Sequence, residues 1–235
     1  MEQAGAIFLS EYILELNEGA PFMDSIGDEA RSRLRAMGKP CSFAPGETVF
    51  LQGQAHSGIW VIESGSLRTF YIGPSGREIT LAFWTPGHFA GGPEVFGRGR
   101  HIWSADAVDR AEALFLTGST LRDLVETEPA IAVAVIDGLI QKGKCYSALI
   151  QMLGTRTVSE RLEQLLLILA QSHGRREGGA IVIDRTITYE QIAAVVGATR
   201  QWVTKSLDRL EKIGAIEVSR KVIRIVDIQA LGAEG

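Results

Sequence analysis

Three side chains of the kind that read DNA bases lie close together near the C-terminus: Arg200, Gln201 and Lys205. An arginine fork matches the two acceptors on guanine, a glutamine pairs with adenine, and a lysine reaches guanine or a phosphate. In a helix, apolar residues spaced by four and three would face inward and leave these side chains exposed on the opposite face. The apolar residues at that spacing are Val203, Leu207 and Leu210. The segment therefore predicts a helix that contacts DNA.

The residues before this helix have the pattern of a helix-turn-helix. Thr188 and Gln191 form a capping box that begins a short helix. Gly197 then permits a tight turn, and Thr199 caps the second helix. Trp202 either packs on the sugar-phosphate backbone or shields the core, and the sequence leaves both open. The expected DNA contacts of this motif are Thr199, Arg200, Gln201, Trp202, Thr204 and Lys205.

Two apolar runs after this helix predict a hairpin of two strands, Ile213–Val218 and Val222–Val226. Its tip carries Arg220 and Lys221, and a basic tip can lie on phosphates. We therefore expect a winged helix in which both residues contact DNA. From residue 155 onward the chain holds 12 basic and 10 acidic side chains, against 12 and 18 in the rest. A mildly basic C-terminal part suits a sequence-specific reader better than a nonspecific coat.

Glycine punctuates the chain between about residues 42 and 116, and short apolar runs lie between the glycines. This rhythm predicts short strands and tight turns, as in an antiparallel β-roll of the jelly-roll kind. The predicted strands are Thr48–Leu51, Ile59–Ile62, Leu67–Ile72, Glu78–Trp84 and Ala111–Leu116. Further along, Ser172–Gly179 is predicted as a loop and Ala180–Ile183 as a strand.

Between Pro129 and Leu153 apolar residues return at spacings of three, four or seven, which predicts one helix roughly 37 Å long. The residues of this stripe are Ala132, Val135, Leu139, Tyr146, Ile150 and Leu153. Lys142 and Gly143 interrupt it. A helix of this length usually has a partner, most simply its own copy across a two-fold axis. We therefore expect a homodimer, and a single long core helix is the alternative.

Together these patterns predict an α+β fold in three parts. The parts are an effector-sensing β-roll domain with an N-terminal helical segment (1–127), a dimerisation helix and hinge (128–155), and a winged helix-turn-helix DNA-binding domain (156–235). The two cysteines, Cys41 and Cys145, exclude a disulfide framework and a zinc ribbon. The sequence has neither a basic leader nor a long uncharged apolar run, so we expect a soluble cytoplasmic protein without a membrane partner.

The order of a glycine-punctuated roll, a long helix and a winged helix resembles the Crp/Fnr family of bacterial transcription regulators, over about residues 20–228. Phe43–Phe50, Ile62–Leu67 and Pro86–Gly91 look like the pattern of the cyclic-nucleotide-binding domain. Ile192–Leu210 looks like the DNA-reading helices of the family. The resemblance implies a dimeric activator that binds a pseudo-palindromic site on double-stranded DNA, works with RNA polymerase and responds to an effector in the roll.

The chain departs from the family pattern where cAMP-binding members hold the nucleotide. Those members carry a Gly-Glu pair for the ribose hydroxyl and an Arg-Ser pair for the phosphate. Here the pairs read Gly91-Gly92 and Trp103-Ser104, so a cyclic nucleotide would leave its charge buried and unpaired. We therefore expect an unknown small-molecule effector other than cAMP, more apolar or aromatic, although Trp103 as plain core filling is the alternative. By the resemblance, the effector-site residues are Gly91, Gly92, Pro93, Glu94, Trp103, Ser104, Tyr146 and Ser147.

Other classes of function have less support in the sequence. His88 and His101 are candidate ligands for a haem or metal sensor, but their spacing is not that of a metal motif. A cupin-like enzyme using His88, Glu94 and His101 lacks a third imidazole. A P-loop and a nucleophile elbow are absent, so we expect no enzyme and no resident cofactor or metal. An effector-binding module with vestigial DNA binding is the remaining alternative.

Overall fold

The computed structural model describes residues 21–184, 188–219 and 222–231, which form two compact units. The units divide after Ser147, and residues 77–79 belong to the second one. Arg220 and Lys221, the predicted basic tip, lie outside the described residues.

The described part of the first unit consists of antiparallel strands and the helices packed on them. The helices are α1 (Asp28–Met37), α2 (Gly118–Thr127) and the start of α3 (Pro129–Thr155). The strands are β1 (Lys39–Phe43), β2 (Thr48–Phe50), β3 (Gly58–Ser64), β4 (Leu67–Ile72), β5 (Glu78–Trp84), β6 (Phe89–Ala90), β7 (Ser104–Ala107) and β8 (Ala111–Thr117). They form one sheet of order β1-β8-β3-β6 and another of order β2-β7-β4-β5. The predicted antiparallel roll is confirmed.

The core of the first unit lies between the β1-β8-β3-β6 sheet and the helices. Short alternating strands supply apolar side chains to one face, and α2 and α3 cover that face with their own. The buried residues shared between strands and helices include Ile59, Val61, Phe89, Leu114, Leu116, Leu121, Leu124, Ile131, Ala134 and Val135.

Helix α3 runs over 27 residues, as its apolar spacing predicts, but its predicted stripe does not face outward. Val135 is buried and Leu139 packs on the same core, while Tyr146 contacts a side chain of the roll. A second stripe of the helix is the exposed one. We call it the α3 stripe, and it consists of Val133, Ile136, Ile140 and Ile150. Val135, Leu139 and Tyr146 of the predicted stripe thus pack within the first unit, whereas Ile150 belongs to both stripes. No helix in the described ranges, α3 included, is both long and apolar enough to cross a bilayer.

A side chain links the residue after β2 to the end of β4, although β7 lies between these two strands in the sheet. Gln52, just after β2, donates from Nε2 to the carbonyl of Ile72 at 3.1 Å and accepts from its N–H at 2.9 Å. The backbone N–H of Gln52 donates to Oγ of Ser104 at 3.0 Å. This amide therefore takes the place of a peptide group beside the end of β4, where the pairing of β4 with β7 has ended at Phe70.

Among the described residues, the second unit contains a four-stranded sheet and three further helices. Its elements are α4 (Val158–His173), β9 (Gly174–Glu177), β10 (Ala180–Asp184), α5 (Tyr189–Val196), α6 (Arg200–Lys212), β11 (Ile216–Val218) and β12 (Val222–Ile225). The sheet order is β11-β12-β10-β9. The predicted loop at Ser172–Gly179 is wrong, because α4 reaches His173 and β9 pairs with β10. The first predicted wing strand is too long, because residues 213–215 form the turn after α6.

Both helices of the helix-turn-helix begin as the sequence predicts. Thr188 and Gln191 form a reciprocal capping box at the start of α5. Gly197 follows α5 with φ 68°, a left-handed conformation that a glycine adopts without strain. Thr199 accepts a hydrogen bond from the N–H of Trp202 at 3.2 Å and so caps α6. These local signals fix where each helix starts and therefore which side chains α6 exposes.

Candidate functional site

The second helix of the motif has one buried and one exposed side. Val203, Leu207 and Leu210 are buried against the unit. Among the predicted DNA contacts, Thr199, Arg200, Gln201 and Lys205 are exposed, while Trp202 and Thr204 are partly buried. We call Arg200, Gln201 and Lys205 the α6 face. Thr204 donates its hydroxyl proton to the carbonyl of Arg200 at 3.1 Å, so its only donor is already engaged within the helix.

Arg200 forms an ion pair with a residue of the preceding helix. Its Nε lies 3.0 Å from a carboxylate oxygen of Glu190 on α5, and both side chains are largely exposed. An arginine has five N–H donors, so this ion pair leaves the outer nitrogens of the fork available for a base. An exposed pair of this kind contributes at most about 1 kcal/mol, which DNA can readily displace.

One hydrogen bond joins the wing to α6, and an ion pair joins the two strands of the wing. Glu211 near the end of α6 accepts a hydrogen bond from the N–H of Val218 at 2.6 Å. Glu217 and Arg224 face each other across β11 and β12, 3.1 Å apart. The charge of Arg224 is therefore largely compensated, and the predicted phosphate contacts Arg220 and Lys221 lie beyond the described residues.

In the roll, Gly91 and Gly92 form a buried turn that only glycine adopts without strain, with φ 107° and 95°. The N–H of Gly92 donates to Nε2 of His56 at 3.1 Å. A side chain at Gly92 would meet Leu139 of α3, so the turn lies directly beside this helix. Pro93 and Glu94 follow the turn and are exposed.

Trp103 and Tyr146 face each other between the roll and α3. Their ring centroids are 5.3 Å apart, and Trp103 is only 8% exposed. Both the indole Nε1 and the phenol oxygen are buried, and neither has a hydrogen-bond partner among the residues that the structure describes. Burial raises the pKa of Tyr146 above its usual range, so the hydroxyl keeps its proton.

The other predicted effector residues lie apart from this pair. Ser104 is fully buried, and its hydroxyl accepts from Gln52. It also lines an open groove of about 470 Å³ together with Leu51, Gln52, Tyr71, Ile72, Gly73 and Pro74. Ser147 is exposed on α3. The structure therefore brings Trp103 and Tyr146 together, and it places Ser104 and Ser147 in other surroundings.

Lys142 on α3 is a residue that the effector-site prediction missed. It is 4% exposed, and its Nζ donates to the carbonyl of Phe89 at 2.6 Å. The same nitrogen lies 3.4 Å from the ring centroid of Trp84, a cation–π contact. Burial lowers the pKa of Lys142 to about 7, and Lys142 forms no salt bridge with any described residue. A lysine inside the inward apolar stripe was the signal that could have found it.

The candidate haem or metal ligands do not share their surroundings. His101 stacks on Phe50 and on His56, with ring centroids 4.1 and 4.2 Å away. His88 instead lies beside Trp84, and its Nδ1 is 3.2 Å from the carbonyl of Thr85. Within the part of the chain that the structure describes, no group of three or more His, Cys, Asp and Glu is arranged to hold a metal ion.

Comparison with known proteins gives two family models and many similar regulators. Residues 40–128 match the cyclic nucleotide-binding domain, and residues 160–234 match the Crp-like helix-turn-helix domain. The chain is 28% identical over 217 residues to the CRP-like cAMP-activated global transcriptional regulator of Mycobacterium tuberculosis, covering 92% of this chain and 97% of the relative. It is 24% identical over 200 residues to the nitrogen fixation regulation protein FixK of Bradyrhizobium diazoefficiens, covering 84% and 83%.

Among solved structures, the c-di-GMP responsive global regulator CLP of Xanthomonas campestris has the same fold. It superposes with a TM-score of 0.77 at 18% identity, covering 85% of this chain and 99% of that one. Two matched domains in the same order as the two units described here account for most of the chain.

Proposed function

The chain belongs to the Crp/Fnr family of transcription regulators, and from this premise we propose that it acts as a homodimer on a pseudo-palindromic DNA site under the control of a small molecule other than cAMP. The proposal of sequence-specific DNA binding rests on the α6 face. Arg200, Gln201 and Lys205 are presented together by a helix whose opposite side is fixed in the core. Side chains of these types are the ones that distinguish bases in the major groove.

The homodimer rests on the α3 stripe. Val133, Ile136, Ile140 and Ile150 are 57, 55, 52 and 70% exposed, and their spacing follows a heptad. Four large aliphatic side chains in a row on a surface indicate an interface rather than chance exposure. Two copies packed along this stripe would carry two α6 helices, which suits half-sites about 34 Å apart on DNA.

The proposal of an effector other than cAMP rests on the residues at two positions of the roll. A cyclic nucleotide carries a phosphate charge and a ribose hydroxyl. At the two positions that would bind them, this chain has Trp103 and Gly92, and neither side chain offers a cation or a carboxylate. A phosphate buried against the indole of Trp103, with no cation at that position, would cost several kcal/mol. The mycobacterial relative is cAMP-activated by name, but these substitutions favour a different effector for this chain.

The family also suggests the setting of this activity. A Crp/Fnr regulator works in the cytoplasm, where bacterial DNA lies, and recruits or contacts RNA polymerase. We propose activation as the outcome on this ground. Whether the effector increases or decreases DNA affinity depends on which arrangement of α3 it binds more tightly.

The decisive experiment is selection of DNA sites by the purified full-length protein from a random duplex library at fixed salt, without added ligand. A palindromic consensus would support the regulator and indicate that the ligand-free form already binds DNA. No enrichment, either alone or with a bacterial small-molecule extract, would contradict DNA reading and favour a module with vestigial DNA binding. Titration with cAMP in a calorimeter should show no binding, and a tight complex would contradict the choice of effector.

Arg200→Ala tests the base contact directly. We expect it to cost about 1–3 kcal/mol on the selected site and to relax the preference at one base pair, because a bidentate guanine contact is lost. Lys221→Ala should instead weaken binding to every sequence alike and flatten the salt dependence by about one unit, as loss of a phosphate contact does. Equal losses by Arg200→Ala on selected and random DNA would make Arg200 a phosphate contact.

A further inference from the structure

Three hydrogen-bond donors between the roll and α3 lack the partners that buried donors normally have. The indole N–H of Trp103 and the hydroxyl of Tyr146 are buried without a hydrogen-bond partner in the described ranges. Lys142 uses one of its three N–H donors, on Phe89, and no carboxylate forms an ion pair with it among the described residues. We call Trp103, Lys142 and Tyr146 the donor cluster. Since a buried donor without a partner destabilises the protein, such a set indicates a site that another molecule completes.

The members of the donor cluster lie close enough for one small molecule to reach them. Lys142 and Tyr146 are four residues apart on α3, so their side chains lie on the same face about 6 Å apart at Cβ. Tyr146 in turn contacts Trp103 of the roll. The surrounding walls are aromatic, because Trp84 and Phe89 flank the Lys142 nitrogen and Trp103 and Tyr146 flank each other.

The chemistry of the donor cluster specifies its ligand. A tryptophan N–H and a lysine ammonium only donate, so the ligand must supply acceptors. One buried cation without a counter-ion matches one negative charge, and a carboxylate has two oxygens that accept from several donors at once. The aromatic walls suit a flat apolar body. We propose that the donor cluster binds a small aromatic monocarboxylate as the effector, an inference that rests on the proposed function because it names the ligand class of that site.

Such a ligand would join the roll to the long helix. Its carboxylate pairs with Lys142 and Tyr146 on α3, whereas Trp103 belongs to the segment that leads into β7. Because α3 also carries the exposed stripe, binding here favours one arrangement of this helix relative to the roll. The ligand therefore acts on the same element that the proposed dimer uses.

The test uses the full-length protein with phenylacetate as the probe and phenylacetamide as its neutral match. Binding is measured by calorimetry and by the side-chain indole ¹H–¹⁵N signals, with that of Trp103 assigned from Trp103→Phe. We expect phenylacetate to bind at least about tenfold more tightly than the amide and to shift the Trp103 signal downfield, because one charge-assisted hydrogen bond contributes about 1.5–3 kcal/mol.

Variants separate the proposed contacts from general packing. Lys142→Met keeps the length of the side chain without its charge, and it should abolish the preference for the acid over the amide. Lys144→Met makes the same change at an exposed lysine of the same helix and should leave the preference intact. Tyr146→Phe should weaken the binding of phenylacetate several-fold. Equal binding of acid and amide, or no shift of the Trp103 signal with millimolar benzoate or phenylacetate, would overturn the proposal.

The pH dependence provides an independent readout. The groups that face Lys142 electrostatically are Cys145 on α3 and His88 before β6. Burial raises the pKa of Cys145 to about 12 and lowers that of His88, so both are neutral near pH 8. Since the pKa of Lys142 is about 7, acid binding should weaken up to about tenfold per pH unit above 7. A palindromic DNA consensus without any pH-dependent acid binding would reject the ligand class and leave the proposed function standing.

Discussion

At the scale of single residues, the buried imidazoles of His56 and His101 show how the roll depends on neutral side chains. Their rings lie 4.2 Å apart, and each is almost completely buried. Burial lowers the pKa of His56, and burial together with the neighbouring His56 lowers that of His101 to about 4. Because Nε2 of His56 accepts from Gly92, protonation there would also break the contact that holds the glycine turn.

His101 should make the protein sensitive to acid. The folded pKa of about 4 lies below the unfolded value of 6.5, so its contribution to stability is complete above pH 6.5 and is lost as the pH falls towards 4. His101→Phe keeps the stack on Phe50 and removes this titration. Urea unfolding at pH 7.5 and 4.5 measures the free energy of unfolding. On acidification this free energy should fall by about 2 kcal/mol less in the variant than in the parent. Equal losses would mean that His101 is protonated without cost in the folded state.

Glu190 should limit the affinity of the α6 face for DNA. Its carboxylate lies 3.0 Å from Arg200 and adds a negative charge close to where a phosphate or base would approach. Glu190→Gln should therefore tighten binding several-fold, and by a similar factor on selected and random duplexes, because the electrostatic contribution to binding does not depend on sequence. Fluorescence anisotropy over a range of salt concentrations measures the affinities for the selected and the random duplexes. Weaker binding by the variant would instead show that Glu190 positions the Arg200 fork.

At the scale of elements, the contact between α3 and β6 depends on a missing side chain. A Cβ at Gly138 would lie 2.5 Å from a ring carbon of Phe89. Gly138→Ala should stabilise the protein by up to about 1 kcal/mol through helix propensity, but overpacking should destabilise it by about 1–3 kcal/mol. In a Phe89→Leu background the same change should be neutral or stabilising, and a double-mutant cycle on chemical denaturation measures the coupling. Additive effects would show that the ring moves aside freely.

Sequence reasoning located the elements that carry strong local signals. The bounds of β4 and β5 agree with the predicted strands, and the caps at Thr188 and Thr199 are in place. It missed β9, whose four residues are all exposed and follow no apolar alternation. It also missed β7, which consists of small residues and an aspartate. Such strands form because a neighbouring strand offers hydrogen bonds, and this information is not local.

The candidate site was predicted in part for the same reason. Periodicity gives the spacing of apolar residues along α3, but the helix carries two apolar stripes, and spacing alone does not tell which one meets the roll. The pairing of Trp103 with Tyr146 came from the family resemblance and not from the residue pattern. Lys142 was noted only as an interruption of the stripe, because its burial depends on Trp84 and Phe89, which lie far away in sequence.

At the scale of the whole molecule, the α3 stripe predicts how assembly and DNA binding are linked. Ile140→Glu should convert a dimer to a monomer, as measured by light scattering. It should lower the affinity for the full palindrome about a hundredfold, because the second half-site no longer benefits from the first, while binding to an isolated half-site stays unchanged.

Ile102→Glu is the matched control for this prediction. It places the same substitution at an isoleucine of the roll that is 54% exposed, against 52% for Ile140. This variant should remain dimeric and bind the palindrome as the parent does. A monomeric parent protein, or an Ile140→Glu variant that stays dimeric, would assign the α3 stripe to another partner.

The amide of Gln52 has a consequence for how the roll can change during evolution. It both donates to and accepts from the main chain of Ile72, and a primary amide offers these two functions on separate atoms at the end of the side chain. Asparagine is one methylene too short, glutamate has no donor when ionised, and lysine has no acceptor. A substitution that a polarity scale treats as mild would thus remove one or both of the hydrogen bonds to Ile72 at the end of β4. We expect natural drift at position 52 to be slow, although the residue looks like ordinary surface polarity.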